Sequence, residues 1–125
     1  MRKLLIRKLL ILGVLAFGLG GAAVLPAWAH HGWSTYDAGT VLTIEAPILT
    51  AKYQNPHSEV TLADAAGKEW HVILAPPSRM ERRGIAKDAL VVGKTVTVVG
   101  YPSRAVDGEM RAERMTIDGS VVELR

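Results

Sequence analysis

Four histidines, His30, His31, His57 and His71, are the side chains of this 125-residue sequence best suited to chemistry. The first two are adjacent and directly follow Ala27-Trp28-Ala29, a small-x-small tripeptide of the kind at which exported chains are cut. A cut between Ala29 and His30 would leave His30 with a free α-amine beside its imidazole Nδ1, and the two nitrogens chelate one metal ion together. A further imidazole completes a T-shaped, all-nitrogen site, the histidine brace. Such a site suits Cu(II), which prefers tetragonal nitrogen ligands and stands high in the Irving–Williams order. His31 offers a second route through the amine, a deprotonated backbone amide and its own ring. The plainer alternative is that His30-His31 is only a polar junction behind a leader.

The other two histidines are constrained by strand geometry. Val60 and Leu62 alternate with polar residues, as do Trp70, Val72 and Leu74 with His71 between them. Matching the two apolar faces sets Leu62 opposite Trp70 and Val60 opposite Val72, so Thr61 faces His71 and His57 falls opposite Ala75. Both rings then lie on one polar face, four residues apart along the strand, about 13 Å at ~3.4 Å per residue. That separation is too long for two ligands of one ion, so at most one of them joins His30. Ser58 follows His57, but neighbours on a strand point to opposite faces and form no base–nucleophile pair.

The elements that would position these residues begin after a leader. Arg2, Lys3, Arg7 and Lys8 precede an apolar run from Leu9 to Val24, and with Ala27-Trp28-Ala29 they make a signal peptide over residues 1–29. The apolar run is shorter than the ~20 residues that span a bilayer. Its removal leaves 96 residues and takes four of the fifteen Lys and Arg, so eleven cations face twelve carboxylates and +3 becomes −1. A mature chain of that charge has no electrostatic footprint for nucleic acid. The basic leader and short apolar run point to bacterial export into the periplasm, with no membrane attachment after cleavage. There is no Cys, which excludes disulfides, a lipid-anchored cysteine, c-type haem attachment and thiolate metal sites. A mature chain of this size buries one modest core.

Residues 30–39 have no clean period and read as an N-terminal arm. From residue 40 to 125 the signals are β. Leu42, Ile44 and Ala46 alternate, then the apolar phase slips at Pro47 to Leu49, Ala51 and Tyr53, predicting a bend in one long strand. Asp64-Ala65-Ala66-Gly67 is a hairpin turn between the next two strands. Pro77 to Gly84 gives the one short helix, with Ser78 and Glu81 at capping-box spacing and Gly84 as a left-handed stop. Val96 and Val98 resume the strand pattern. Met110, Ala112, Met115 and Ile117 show another phase slip, and Asp118-Gly119 turns into a last strand over Val121–Leu124. The expectation is an all-β domain, a small five- to six-stranded OB-like barrel with one short helix between the third and fourth strands. A β-sandwich of about seven strands is the alternative.

His30-His31-Gly32-Trp33-Ser34-Thr35-Tyr36-Asp37 resembles the start of an uncharacterised family of exported bacterial proteins. Gln54-Asn55-Pro56-His57, Trp70, Gly93-Lys94-Thr95-Val96-Thr97-Val98, Gly100-Tyr101-Pro102 and Asp118-Gly119 carry the likeness across residues 30–125. The family is a domain of unknown function, so the resemblance implies no activity. It implies that the histidines of the His-His start and the Asn-Pro-His sit where the family has them, which favours His57 over His71 as third ligand. A His57 that only hydrogen-bonds the Asn55-Pro56 turn is the competing reading.

Other constellations are weaker. Trp33 and Tyr36 either stack on a ligand or pin the arm to the domain. Arg79, Arg82 and Arg83 share one helical face and either bind an anion or are simply solvated. No Gly-x-Ser-x-Gly, His-Glu-x-x-His or cysteine nucleophile is present, and no carboxylate pair stands out, so catalysis is not expected. The expectation is a small periplasmic accessory or binding protein that takes copper or another divalent ion through His30, His31 and His57. The alternative is a metal-free module that recognises an envelope protein or a small anionic ligand.

Overall fold

The computed structural model describes residues 32–125. These form seven strands in one sheet with one short helix: β1 (Leu42–Pro47), β2 (Thr50–Lys52), β3 (Glu59–Ala63), β4 (Glu69–Ile73), α1 (Pro77–Arg82), β5 (Thr95–Pro102), β6 (Glu109–Ile117) and β7 (Ser120–Glu123). The all-β expectation holds. The strand count and the closure differ from it. The hydrogen-bonded order is β1-β5-β6-β4-β3-β2 with β7 added on β6, so the sheet starts at β1, stops at β2 and is not a closed barrel.

The cause lies at Pro47. Ile48 gives its N–H to the Lys94 carbonyl and takes the Gly93 N–H, extending the β1–β5 pairing. Leu49 instead gives its N–H to the Thr61 carbonyl and belongs with β3. The chain therefore changes partner between Ile48 and Leu49, and the expected long strand becomes two, which form the two ends of the sheet. The same split moves the helix from after the third strand to after the fourth. Seven strands in one sheet also rule out the two-sheet sandwich.

The core follows the alternation. Ile44 and Ala46 of β1, Val60 and Leu62 of β3, Val72 of β4 and Val96 and Val98 of β5 are buried together, with Met80 of α1 and Ile85 beneath them. Each fully buried Val, Leu, Ile or Met contributes about 1.5–3 kcal/mol of apolar transfer. Trp70 is not deep in this core. It is half-buried at the edge, with its Nε1 donating to Asp64 Oδ2 at 3.0 Å and the Lys68 ammonium 4.5 Å over its ring.

Helix α1 starts differently from its capping-box expectation. Pro76 is the N-cap and no side chain caps the helix. Pro77, with its fixed φ and no N–H to leave unpaired, opens the first turn, which places Ser78 inside the helix. The end is as expected: Gly84 has φ 93°, its N–H reaches the Glu81 carbonyl, and the Ile85 N–H reaches the Met80 carbonyl. These are the two bonds of a Schellman stop.

The β3–β4 register is the one the apolar faces dictate: Val60 pairs with Val72, Thr61 with His71 and Leu62 with Trp70. Regular pairing ends at Glu59–Ile73. Ser58 then takes the Leu74 N–H and gives its own to the Ala75 carbonyl, a bulge that removes the expected His57–Ala75 pair from the ladder. On β6 the phase slip falls at Glu113, where the register against β5 shifts between Val99 and Gly100. A Cβ at Gly100 would sit 2.1 Å from the Arg111 carbonyl oxygen, so β5 and β6 meet there closely enough to require glycine.

Candidate functional site

The ladders line up a second face, opposite the core. Thr61, His71 and Glu109 lie side by side across β3, β4 and β6. Glu59, Ile73, Arg111 and Tyr101 form the next row. Ile73 in that row is 0 % exposed yet lies outside the main core cluster. On the same face, residues just before β1 dock against β5 and β6.

Trp33–Thr35 make one 3-10 turn, with the Thr35 N–H on the Gly32 carbonyl and the Tyr36 N–H on the Trp33 carbonyl. Tyr36 bridges to Ser103, Asp37 N–H reaches the Pro102 carbonyl, and Arg104 N–H reaches the Thr35 carbonyl. Asp37 closes the loop, accepting from the Thr40 hydroxyl, the Gly39 N–H and the Arg104 guanidinium. The Thr40 bond first, and then the Gly39 N–H, hold its carboxyl below the usual range.

Two aromatic side chains anchor this arm. The Tyr36 ring is buried and its hydroxyl donates to Glu109 Oε1 at 2.7 Å. Burial, and then that carboxylate, push the phenol well above the ordinary tyrosine range. Trp33 lies against two guanidiniums, Arg111 at 4.8 Å and Arg125 at 4.7 Å from a ring centroid. The Tyr101 ring meets it edge-on at 6.4 Å. Arg111 is 5 % exposed, and its burial weakens the hold on its proton. The Tyr101 hydroxyl in turn donates to Glu113.

The sequence-predicted residues divide as follows. Trp33 and Tyr36 come together on this face as pins. His30 and His31 lie outside the described residues. His57 is half-buried, with Nδ1 shielded from solvent, just after the cis Asn55–Pro56 peptide. His71 has Nε2 2.8 Å from Glu59 Oε2 and Nδ1 3.9 Å from Glu109 Oε2, so its two nitrogens face carboxylates on opposite sides. Arg79 and Arg83 turn to the tail after β7, donating to the carbonyls of Leu124 and Arg125 at 3.4 Å each, and Arg82 is exposed. The three arginines therefore do not converge on one open anion pocket.

Sequence reasoning missed Glu59, Glu109, Arg111 and Arg125. Glu109-Met110-Arg111-Ala112 alternates charge with apolar residues, which marks an outward charged face. Nothing local says that an aromatic arm covers it. Across β2, β3 and β4, Thr50, Lys52, Glu59, Val60, Thr61 and His71 line a polar cavity of about 80 Å³. Among the described residues no three His, Asp or Glu side chains gather round one point that could hold a metal ion.

A family model described as a family of unknown function (DUF6152) matches residues 20–112. No curated protein matches the chain.

Proposed function

The chain belongs to that family of unknown function, and from this premise we propose that it is a small exported binding protein of the periplasm whose mature N-terminal histidines hold copper or a similar divalent ion. The reading requires cleavage between Ala29 and His30. The His30 amine and ring then supply two nitrogens, and His57 a third through Nε2, since its Nδ1 is buried. Its role is binding, and no catalytic step is assigned to it.

One observation carries the reading: the Trp33 ring lies over Arg111, one row along the outer face from the Tyr36–Glu109 bond. Tyr36 is tied to Glu109 and Trp33 to Arg111, so the step from the first anchor to the second points along β6 towards Glu113. Across the ladders that is also the direction from Thr61 through Glu59 to His57. His57 lies two strands over and two residues along from Arg111, on the order of 12 Å at usual strand spacings. His30 stands three residues before Trp33, a reach of about 10 Å. Ser58 is fully buried with its backbone bonded to Leu74 and Ala75, and continued alternation would turn His57 to the outer side.

A second reading, a metal-free module for an envelope protein or a small anionic ligand, draws on exposed Arg82 and the outer face of α1. It requires neither the cut nor His57. The experiment is the intact mass of protein processed from the full chain, followed by copper affinity for the mature form, for His57→Ala and for a short His-led peptide. A start at His30 with binding at least tenfold tighter than the peptide, and lost in His57→Ala, supports a built site. A different start, or peptide-like affinity, favours the module.

A further inference from the structure

We infer that Arg111 and Arg125 are positioning residues which, through the Trp33 ring, fix where the mature N-terminus leaves the sheet; this rests on the metal reading and adds to it the part that gives the histidines a fixed origin. The two guanidiniums lie 4.8 and 4.7 Å over the Trp33 side chain, one jaw on β6 and the other in the tail after β7. Each jaw is itself held. Arg111 is buried to 5 % exposure on β6. Arg125 lies 3.6 Å from Glu113 Oε1 and its carbonyl accepts from Arg83, while the preceding Leu124 is 2 % exposed in the core.

The helix arginines thus act at a distance. Arg79 and Arg83 fasten the tail, the tail closes over Trp33, and Trp33 stands three residues after His30. A chain whose anchor at Trp33 is fixed beforehand loses less freedom when its end binds. Arg111 lies inside the family-matched region and Arg125 beyond it, so the second jaw belongs to the part of the chain that the match leaves out.

The test uses mature protein processed from the full chain. Amide hydrogen exchange at Thr35 and Tyr36, whose N–H groups close the 3-10 turn, reads arm docking without any metal. Loss of one jaw in Arg125→Ala is expected to speed exchange there about twofold to fivefold, the range of a single exposed cation–π contact. Copper affinity should fall by a similar factor. Arg125→Lys should recover part of both effects, and Trp33→Phe should recover more than Trp33→Ala. Unchanged exchange in Arg125→Ala and Trp33→Ala overturns the clamp. Faster exchange with tight, unchanged copper binding overturns the positioning role and leaves the metal reading standing. Faster exchange in a protein that binds no better than the His-led peptide removes the metal reading and with it the positioning of a metal site, while the arm clamp survives.

Discussion

The Tyr36 hydroxyl donates to the Glu109 carboxylate at 2.7 Å, joining two residues 73 positions apart and closing the arm over β6. Both partners are buried, and loss of the hydroxyl would leave a shielded carboxylate oxygen without this donor. Tyr36→Phe should therefore cost about 1.5–3 kcal/mol of unfolding free energy, the range for a hydrogen bond to a charged group. Denaturant unfolding of the wild type and the variant measures it. A difference below ~0.5 kcal/mol would mean the bond is not kept in solution.

The same hydroxyl predicts an alkaline limit. In the unfolded chain a tyrosine loses its proton near pH ~10. In the folded protein burial and Glu109 hold the Tyr36 proton to higher pH. Above pH ~10 the unfolded state therefore binds fewer protons than the folded one, and stability falls as pH rises. Below pH ~10 the contribution is fully present. Unfolding free energies at pH 9, 10 and 11 should fall in that order. Tyr36→Phe should flatten part of the slope, and the rest belongs to Tyr101, raised first by its bond to Glu113, and Tyr53, raised first by burial.

Gly100→Ala should be among the most damaging single-methyl changes. Its Cβ would meet three backbone atoms of β6 at 2.1 to 2.9 Å, and backbone cannot swing aside as a side chain can. Overpacking of this kind costs about 1–3 kcal/mol. Arg111 and Ala112 supply the obstructing atoms, so the displacement passes to the residue beneath Trp33. Thermal melting reads the first effect and Trp33 fluorescence the second. A melt within 2 °C of wild type would show that the strands part without strain.

His71 and His57 should separate in a metal titration. The His71 nitrogens already face Glu59 and Glu109, and Thr61–His71 pairing places the ring on the order of 13 Å along the strand from His57. His71→Ala should leave copper affinity of the mature protein within about twofold. Because the ring is half in solvent, the change should also cost less than ~1 kcal/mol of stability. A tenfold loss of affinity would move the third ligand from His57 to His71.

Short-range chemistry made much of the fold legible. Alternation alone set Val60 against Val72 and Leu62 against Trp70, and it showed the slips at Pro47 and Glu113. Gly84 and Asp118-Gly119 were legible because a stop and a tight turn need positive φ, which each of them has. Alternation could not show that the slip at Pro47 hands the chain from β5 to β3, because a change of partner depends on residues far along the sequence. The start of α1 was misread because Ser78 and Glu81 fit a capping box, while Pro76-Pro77 opens the helix earlier. At the candidate site the aromatic pins were visible from their spacing. Glu109, Arg111 and Arg125 were not, since each is ordinary until the arm folds onto it.

The clamp at Trp33 also brings the two ends of the described domain together, with a tail residue lying on an arm residue. A short linker could therefore join the ends and new termini be opened elsewhere, for example in the Asp64–Gly67 turn, giving a circular permutant with the same sheet. Such a ring-shift would keep Trp33, Tyr36 and His57 but abolish the free α-amine of His30. It would separate the folded architecture from the chemistry of the chain end in a single molecule.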